Sequence, residues 1–131
     1  NKLKALQFAV PVDDLLVSGF VDCVVGTADG LLLVDYKTGR PPKQDEVKLG
    51  YAYQLAIYKY AVEKLLNKKV IEAKLHFLQN LSEWSMPVDK DYLDASLALC
   101  NEIRSKAKEE DFTCNLANCK YCPYNYLCPQ K

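Results

Sequence analysis

The stretch VSGFVDCVVGTADGLLLVDYK at residues 17–37 predicts a β-hairpin. Its first half, Val17–Val25, is rich in β-branched residues, and its second half, Leu31–Lys37, is mostly apolar. The residues between them, Gly-Thr-Ala-Asp-Gly at 26–30, are typical of a turn. We therefore expect two antiparallel neighbouring strands, and their apolar composition indicates that both faces of the sheet are buried.

Three polar residues interrupt this apolar hairpin: Asp22, Asp35 and Lys37. Side chains alternate along a strand, so Asp35 and Lys37 point to the same face. The turn allows two registers, of which one places Asp22 opposite Asp35 and the other places it opposite Lys37. In both registers the three side chains meet in one cluster.

The composition of the cluster is that of a site for a divalent cation. Residues directly opposite each other have β-carbons about 4.5 to 5.5 Å apart, and two carboxylates at that distance repel unless a cation lies between them. Mg²⁺ prefers oxygen ligands, and the backbone carbonyl of Tyr36 could add one more. Lys37 would orient a water nucleophile or offset charge on an attacked phosphate. The alternative is a solvent-facing acidic strip in which Lys37 is only a surface ion-pair partner.

The segments on either side of the hairpin are predicted from spacing. A first strand at Leu6–Val10 is expected to stop at Pro11, because proline cannot donate a ladder hydrogen bond. Residues Gly39–Asp45 include two prolines and are expected to form a loop. Apolar residues at helical spacing predict a helix at Val47–Asn67. Its apolar stripe consists of Tyr51, Leu55, Tyr58, Val62 and Leu65.

The second half of the chain repeats the alternation of strands and helix. Val70–Leu78 and Glu83–Val88 are expected to form a second hairpin. Asp89 or Asp91 is a candidate cap for a helix that runs to about Lys108. Its inward-facing residues are expected to be Leu93, Leu97, Cys100 and Ile103.

Length and composition limit the classes of protein that fit. The chain has 131 residues, half of them hydrophobic, which is enough for one core but hardly for two. Its 17 basic and 17 acidic residues leave no basic excess, so any DNA contact must come from local placement of charge. No apolar run approaches the roughly 18 residues that span a bilayer, and the polar start is not a signal peptide. We expect a cytoplasmic protein with no membrane partner.

Four of the six cysteines lie in the last 18 residues, at Cys114, Cys119, Cys122 and Cys128. Because nothing marks secretion, a metal site explains this spacing better than a disulfide framework. Four thiolates so close in sequence could enclose one Zn²⁺ or anchor an iron–sulfur cluster, and free buried thiols are the alternative. The other two, Cys23 and Cys100, are expected to be ordinary buried small residues.

Three motifs in order resemble a known family. They are Gly19-Phe20-Val21-Asp22, then Leu33-Val34-Asp35-Tyr36-Lys37-Thr38-Gly39, then Gln54-Leu55-Ala56-Ile57-Tyr58. The pattern resembles the RecB-like branch of the PD-(D/E)XK nucleases, over about residues 16–77. The resemblance implies an α/β (α+β) fold with a restriction-endonuclease-like core, in which helices flank a mixed central sheet.

The resemblance also implies an activity, hydrolysis of DNA phosphodiester bonds with Mg²⁺ or Mn²⁺. By position in the motifs, Asp22 and Asp35 would be metal ligands and Lys37 the catalytic lysine. Gln54 and Tyr58, one helical turn apart, would support the site or touch DNA. The alternative is that Tyr58 is a core aromatic residue and that Gln54 only borders solvent.

The chain departs from the branch at one point. Members have a helix before the first strand that adds a metal-site residue, often His, and no residue before Leu6 supplies it. We therefore expect residues 1–112 to be a nuclease core without its first helix, which would bind metal poorly or cut slowly, and residues 113–131 to be a cysteine-rich tail packed on it. His76 is expected to be structural.

The cysteine tail is similar to the end of AddB-type and CRISPR-adaptation nucleases. That similarity implies a [4Fe-4S] cluster rather than Zn²⁺, with the fourth ligand either Cys114 or a cysteine outside this chain. The resemblance as a whole implies an exonuclease domain of an ATP-dependent helicase-nuclease in recombination and DNA repair. Its implied partners are DNA, helicase domains and a second protein subunit. The alternatives are a CRISPR-adaptation nuclease and a non-catalytic module that binds DNA or a partner.

Overall fold

A computed structural model of the chain describes residues 4–43, 49–86 and 89–129. Within these residues five strands form one sheet whose spatial order is the order of the sequence. Neighbouring strands run antiparallel except for the third and fourth, which are parallel, so the sheet is mixed as expected. The strands are β1 Lys4–Val12, β2 Leu15–Gly26, β3 Leu31–Lys37, β4 Val70–Phe77 and β5 Ser82–Ser85.

The parallel pair requires a crossover, and helix α1 at Leu49–Leu66 provides it. The predicted helix is confirmed, although its expected start at Val47 lies outside the described residues. Helix α2 at Lys90–Lys108 begins after Asp89, whose Oδ1 accepts a hydrogen bond from Tyr92 N–H at 3.2 Å. Asp89 is therefore the cap, and not Asp91.

The core lies between one face of the sheet and α1. Fully buried side chains from both layers meet there: Leu33, Leu55, Val62, Leu75 and Phe77. Helix α2 adds only its first half, since Tyr92 and Leu97 pack against this core. The predicted hairpin of β4 and β5 is also present, with β5 ending at Ser85.

Strand β2 contains a bulge that the sequence did not predict. Two steps along β1, from Lys4 to Leu6, match three steps along β2, from Val24 to Val21. The extra residue on β2 shifts the alternation of its side chains, as a β-bulge does. Val21 can therefore be buried in the core while Asp22, its neighbour in sequence, takes part in the polar cluster described below.

Three expectations about strands and burial were wrong. Strand β1 continues through Pro11 to Val12, because β1 is an edge strand and a missing donor on its open side breaks no ladder. The sheet is not buried on both faces, since Leu16, Phe20 and Tyr36 are exposed on the side away from α1. The apolar stripe of α1 also ends early, with Leu65 exposed.

The prediction for α2 was only partly right. Leu93, Leu97 and Cys100 are half-buried, but Ile103 is 59% exposed. The one fully buried position described in α2 is Ser96, whose hydroxyl donates to Leu93 O at 2.9 Å and so needs no outside partner.

The chain divides into two compact units, Asn1–Leu99 and Cys100–Lys131, with the boundary inside α2. The second unit contains a short 3-10 helix at Leu116–Tyr121 and the four tail cysteines. Neither helix among the described residues is apolar enough over its length to cross a bilayer.

Candidate active site

The register of the hairpin brings Asp22 and Asp35 together. Cys23 pairs with Val34 at the end of the ladder, so continuation of the same register places Asp22 opposite Asp35. This is the first of the two registers that the sequence allowed. Asp22 also crosses to β3, because its Oδ2 accepts a hydrogen bond from Tyr36 N–H at 2.9 Å. The carboxylate thus satisfies the β3 backbone beyond the last paired residues.

Asp35 is a buried carboxyl group, 4% exposed, at the end of β3. Burial is the main cause that raises its pKa, and the nearby Asp22 charge adds to the effect, while Lys37 opposes it. Lys37 Nζ lies 2.6 Å from Asp35 Oδ2, at angles outside those of a hydrogen bond. Within the described residues this oxygen has no hydrogen-bond donor. A buried acceptor that protein groups leave unsatisfied fits a cation ligand.

The ammonium group of Lys37 is held from three directions. Beside its ion pair with Asp35, Nζ donates to Gln54 Oε1 at 2.9 Å and lies 4.5 Å from the centre of the Tyr51 ring. The aromatic face attracts the cation, and the amide oxygen fixes its direction. Tyr51 was assigned only to the core by its helical spacing, although its place three residues before Gln54 is a signal for a shared face.

Gln54 and Tyr58 extend this contact along α1. Gln54 Nε2 donates to Tyr58 Oη at 3.0 Å, so its amide oxygen faces the ammonium and its amide nitrogen faces the phenol. Burial is the first cause that raises the pKa of Tyr58, and the charges of Asp35 and Asp22 add to it. The structure therefore brings all five predicted site residues into one connected group, and Gln54 does not merely border solvent.

Gly19 explains why Tyr58 fits against the sheet. A β-carbon built on Gly19 would lie 2.7 Å from Phe8 Cζ and 3.5 Å from Tyr58 Cε1. The Phe8 and Tyr58 rings meet edge to face there, with centroids 5.7 Å apart. The glycine of the first motif is thus a packing requirement at the back of the site. Sequence reasoning missed Phe8, because nothing local links β1 to α1.

The donor set fits a hard divalent cation. Two carboxylates, Asp22 and Asp35, lie side by side with the Tyr36 backbone between Asp35 and Lys37, and oxygen is the ligand that Mg²⁺ and Mn²⁺ prefer. Among the described residues there is no group of three or more His, Cys, Asp or Glu side chains arranged to hold a metal ion. The described carboxylates would therefore supply two ligands, and other oxygens the remainder.

His76 lies apart from this group, as expected. It pairs with Tyr36 across the parallel strands β3 and β4. Its Nδ1 lies 3.3 Å from Glu83 Oε1 on β5. His76 therefore has a local partner on the sheet.

The four tail cysteines are free thiols. Cys114 Sγ and Cys128 Sγ are 3.9 Å apart. Two sulfurs bound to one tetrahedral Zn²⁺ at about 2.3 Å would be about 3.8 Å apart, so this pair fits a shared ion. The Cys128 thiol, and to a lesser degree those of Cys119 and Cys122, raise the pKa of Cys114. Of the remaining cysteines, Cys23 is buried as expected and Cys100 only half-buried.

Comparison with known proteins follows the same residues. The family model of the PD-(D/E)XK nuclease superfamily matches residues 2–129. The large ATP-dependent helicase/nuclease protein of Pelotomaculum thermopropionicum is 44% identical over 71 residues, which are 53% of this chain and 6% of that protein. Gene 69 protein of Mycobacterium phage L5 is 31% identical over 134 residues, which are 95% of this chain and 43% of that protein. The chain thus spans less than half the length of each of these relatives.

A solved structure shares the fold. The crystal structure of SSO0001 aligns with a TM-score of 0.57 and 16% identity, over 98% of this chain and 59% of that one. Together with the mixed sheet and its helices, the matching family confirms the expected restriction-endonuclease-like fold.

Proposed function

The chain belongs to the PD-(D/E)XK nuclease superfamily, as its motifs predicted, and from this premise we propose that it is a deoxyribonuclease domain that uses Mg²⁺ or Mn²⁺. One observation carries the proposal: Asp35 is a buried carboxylate with an oxygen that no described donor satisfies, next to a second carboxylate and 2.6 Å from an ammonium group. Such a group is costly to bury unless a cation joins it.

The metal would be held by Asp22 and Asp35, with the backbone carbonyl of Tyr36 as a third ligand. When bound, the ion polarises a phosphate oxygen and lowers the pKa of a water nucleophile. Asp22 is held in place by Tyr36 N–H, and Asp35 by its position in the buried strand. Both ligands are therefore oriented before the metal arrives.

Lys37 would act beside the metal as a fixed positive charge. Gln54 and Tyr51 direct its ammonium group, so the charge can face the attacked phosphate or the nucleophilic water. Its proton is available to a developing oxyanion, and Gln54 accepts from it without competing charge. Gln54 and Tyr58 are positioning residues in this proposal, since they act through Lys37.

The larger setting that we propose is an ATP-dependent helicase-nuclease of recombination and repair, in the cytoplasm. Helicase domains and a partner subunit would deliver DNA ends to this domain, which would trim them as an exonuclease. The support is the local likeness to proteins named ATP-dependent helicase/nuclease, at 44% identity in those of Pelotomaculum thermopropionicum and Moorella thermoacetica.

For the tail we propose a structural metal centre on Cys114, Cys119, Cys122 and Cys128. The 3.9 Å between Cys114 and Cys128 supports one shared ion such as Zn²⁺. The alternative, a [4Fe-4S] cluster, rests on the similarity of the cysteine spacing. An absorption spectrum taken without oxygen, together with metal analysis, separates the two: a broad visible band with iron indicates the cluster, and a colourless zinc protein excludes it.

The nuclease proposal is tested with the full chain and the variant Asp35→Ala. Mn²⁺ binding is measured by electron paramagnetic resonance, and cleavage is measured on end-labelled DNA with Mn²⁺. We expect Asp35→Ala to lose both signals. The matched control is Asp29→Ala, which removes an exposed carboxylate in the hairpin turn and should keep both. Unchanged cleavage by Asp35→Ala would remove the mechanism.

A further inference from the structure

Tyr36 lies between two site residues in sequence but on the other face of β3. Side chains alternate along a strand, so its ring points away from the face that carries Asp35 and Lys37. Asp35 is 4% exposed, whereas Tyr36 is 44% exposed. The aromatic ring is thus available to solvent at the carboxyl end of β3, one residue from each of the two site residues.

A second ring stands beside it on the neighbouring strand. The parallel pairing sets Tyr36 next to His76, and the two rings meet edge to face with centroids 5.8 Å apart. Such a contact leaves aromatic surface free for a further stacked ring. The phenol also lies against the Cys23 thiol, which is the first cause that raises the pKa of Tyr36, so the ring stays neutral.

The ring is mechanically tied to the proposed metal site. Tyr36 N–H donates to Asp22 Oδ2 at 2.9 Å, and its peptide neighbours are Asp35 and Lys37. A group that stacks on this ring is therefore held at a fixed distance from the two carboxylates.

The charges around the two rings disfavour phosphate at this surface. Lys74 is paired with Glu83 at 3.4 Å and lies 3.9 Å from Glu72, and Glu83 also contacts His76. One cation between two carboxylates leaves no positive charge for a DNA backbone to bind. A neutral aromatic ring among such pairs suits the flat face of a base instead.

We propose that Tyr36, with His76 beside it, is a stacking platform for one unpaired nucleobase next to the cleaved phosphate. The inference rests on the proposed function, because it assigns the base to the DNA strand in that site. In a duplex the faces of the bases are covered by their neighbours, so only a frayed or single-stranded end offers a free face. The platform would thus make the site prefer single-stranded ends.

The test measures binding of fluorescein-labelled oligothymidylate to the full chain by anisotropy, with Ca²⁺ in place of Mg²⁺ to prevent cleavage. Tyr36→Leu keeps an apolar side chain without an aromatic face, and Tyr36→Phe keeps the face. We expect Tyr36→Leu to weaken binding about fivefold to a hundredfold, as loss of one base stack does, and Tyr36→Phe to stay within about twofold of the wild type. Tyr126→Leu, which replaces an exposed tyrosine of the tail, is the control.

A single abasic nucleotide walked along the strand identifies the stacked base. In the wild type we expect one position at which the missing base weakens binding, and in Tyr36→Leu that penalty should vanish. Tyr36→Trp should enlarge it, which keeps the test decisive even if Tyr36→Leu does not fold. Equal binding by the Leu and Phe variants, or a penalty that persists in Tyr36→Leu, overturns the platform.

The two proposals fail separately. Asp35-dependent cleavage without any abasic penalty overturns the platform and leaves the nuclease intact. An abasic penalty that depends on Tyr36, in a chain whose cleavage does not depend on Asp35, supports the platform as a binding site and overturns the nuclease mechanism.

Discussion

Lys37 Nζ donates to Gln54 Oε1 at 2.9 Å, which joins the last residue of β3 to the second turn of α1. The amide cannot turn over without setting its NH₂ group against the ammonium, and its Nε2 is already bonded to Tyr58. The orientation of the lysine is therefore fixed by a residue that does not itself reach the carboxylates.

This contact predicts that Gln54 positions the lysine. Gln54→Leu should lower kcat about tenfold to a hundredfold, because a hydrogen bond to a charged group contributes about 1.5 to 3 kcal/mol. Gln54→Glu retains an acceptor for Lys37 and should recover much of the loss. Steady-state kinetics on end-labelled DNA should show the effect in kcat with KM little changed. A Gln54→Glu variant as slow as Gln54→Leu would contradict a positioning role.

Gly19 predicts a stability effect with a built-in control. Gly19→Ala should destabilise the fold by about 1 to 3 kcal/mol, since the added methyl group overpacks against Phe8 at 2.7 Å. Gly50→Ala adds the same group where no atom lies within 4 Å, on the first turn of α1, and should be neutral or slightly stabilising. Urea unfolding compares the two. A Gly19→Ala variant as stable as wild type would mean that Phe8 moves freely.

Sequence was sufficient for the hairpin because its signals are local. Strand β3 was predicted to the residue, since a turn precedes it and the polar segment after Lys37 ends it. The cluster of Asp22, Asp35 and Lys37 followed from alternation within this hairpin. The choice between two registers did not, because the turn residues are compatible with both.

What the sequence could not supply depends on contacts between distant segments. The bulge in β2 arises from its pairing with β1, and the outward face of Tyr36 depends on which side of the sheet α1 occupies. The packing of Phe8 against Tyr58 likewise joins β1 to α1. Patterns within one segment contain no information on such pairings.

The raised pKa of Asp35 predicts how stability varies with pH when no metal is present. Burial favours the protonated form in the folded state, so folding binds a proton between the unfolded pKa, 3.8, and the raised folded pKa. Stability from this group is therefore full below 3.8 and is lost as pH rises through the folded pKa. Asp35→Asn should gain stability over the wild type as pH rises, and the difference should vanish in acid.

Thermal unfolding in EDTA from about pH 3 to about pH 7 measures that difference. Added Mn²⁺ should reverse it at neutral pH, because an ion that binds only the folded wild type raises its Tm and leaves Asp35→Asn unchanged. Asp29→Asn, in the exposed turn, should follow the wild type throughout. A constant difference between Asp35→Asn and wild type at every pH would show that Asp35 is not the titrating group.

Asp22 has two functions that substitution can separate, because its Oδ2 accepts from Tyr36 N–H while its charge would bind the metal. Asp22→Asn retains an acceptor oxygen for the backbone and should leave the free energy of unfolding within about 0.5 kcal/mol of the wild type, whereas Asp22→Ala leaves the N–H without its partner and should cost about 1 kcal/mol. Both variants remove one anionic ligand, so both should lose Mn²⁺ binding and DNA cleavage. Urea unfolding with Mn²⁺ titration makes the comparison, and a metal-binding Asp22→Asn variant would reduce Asp22 to a support for β3.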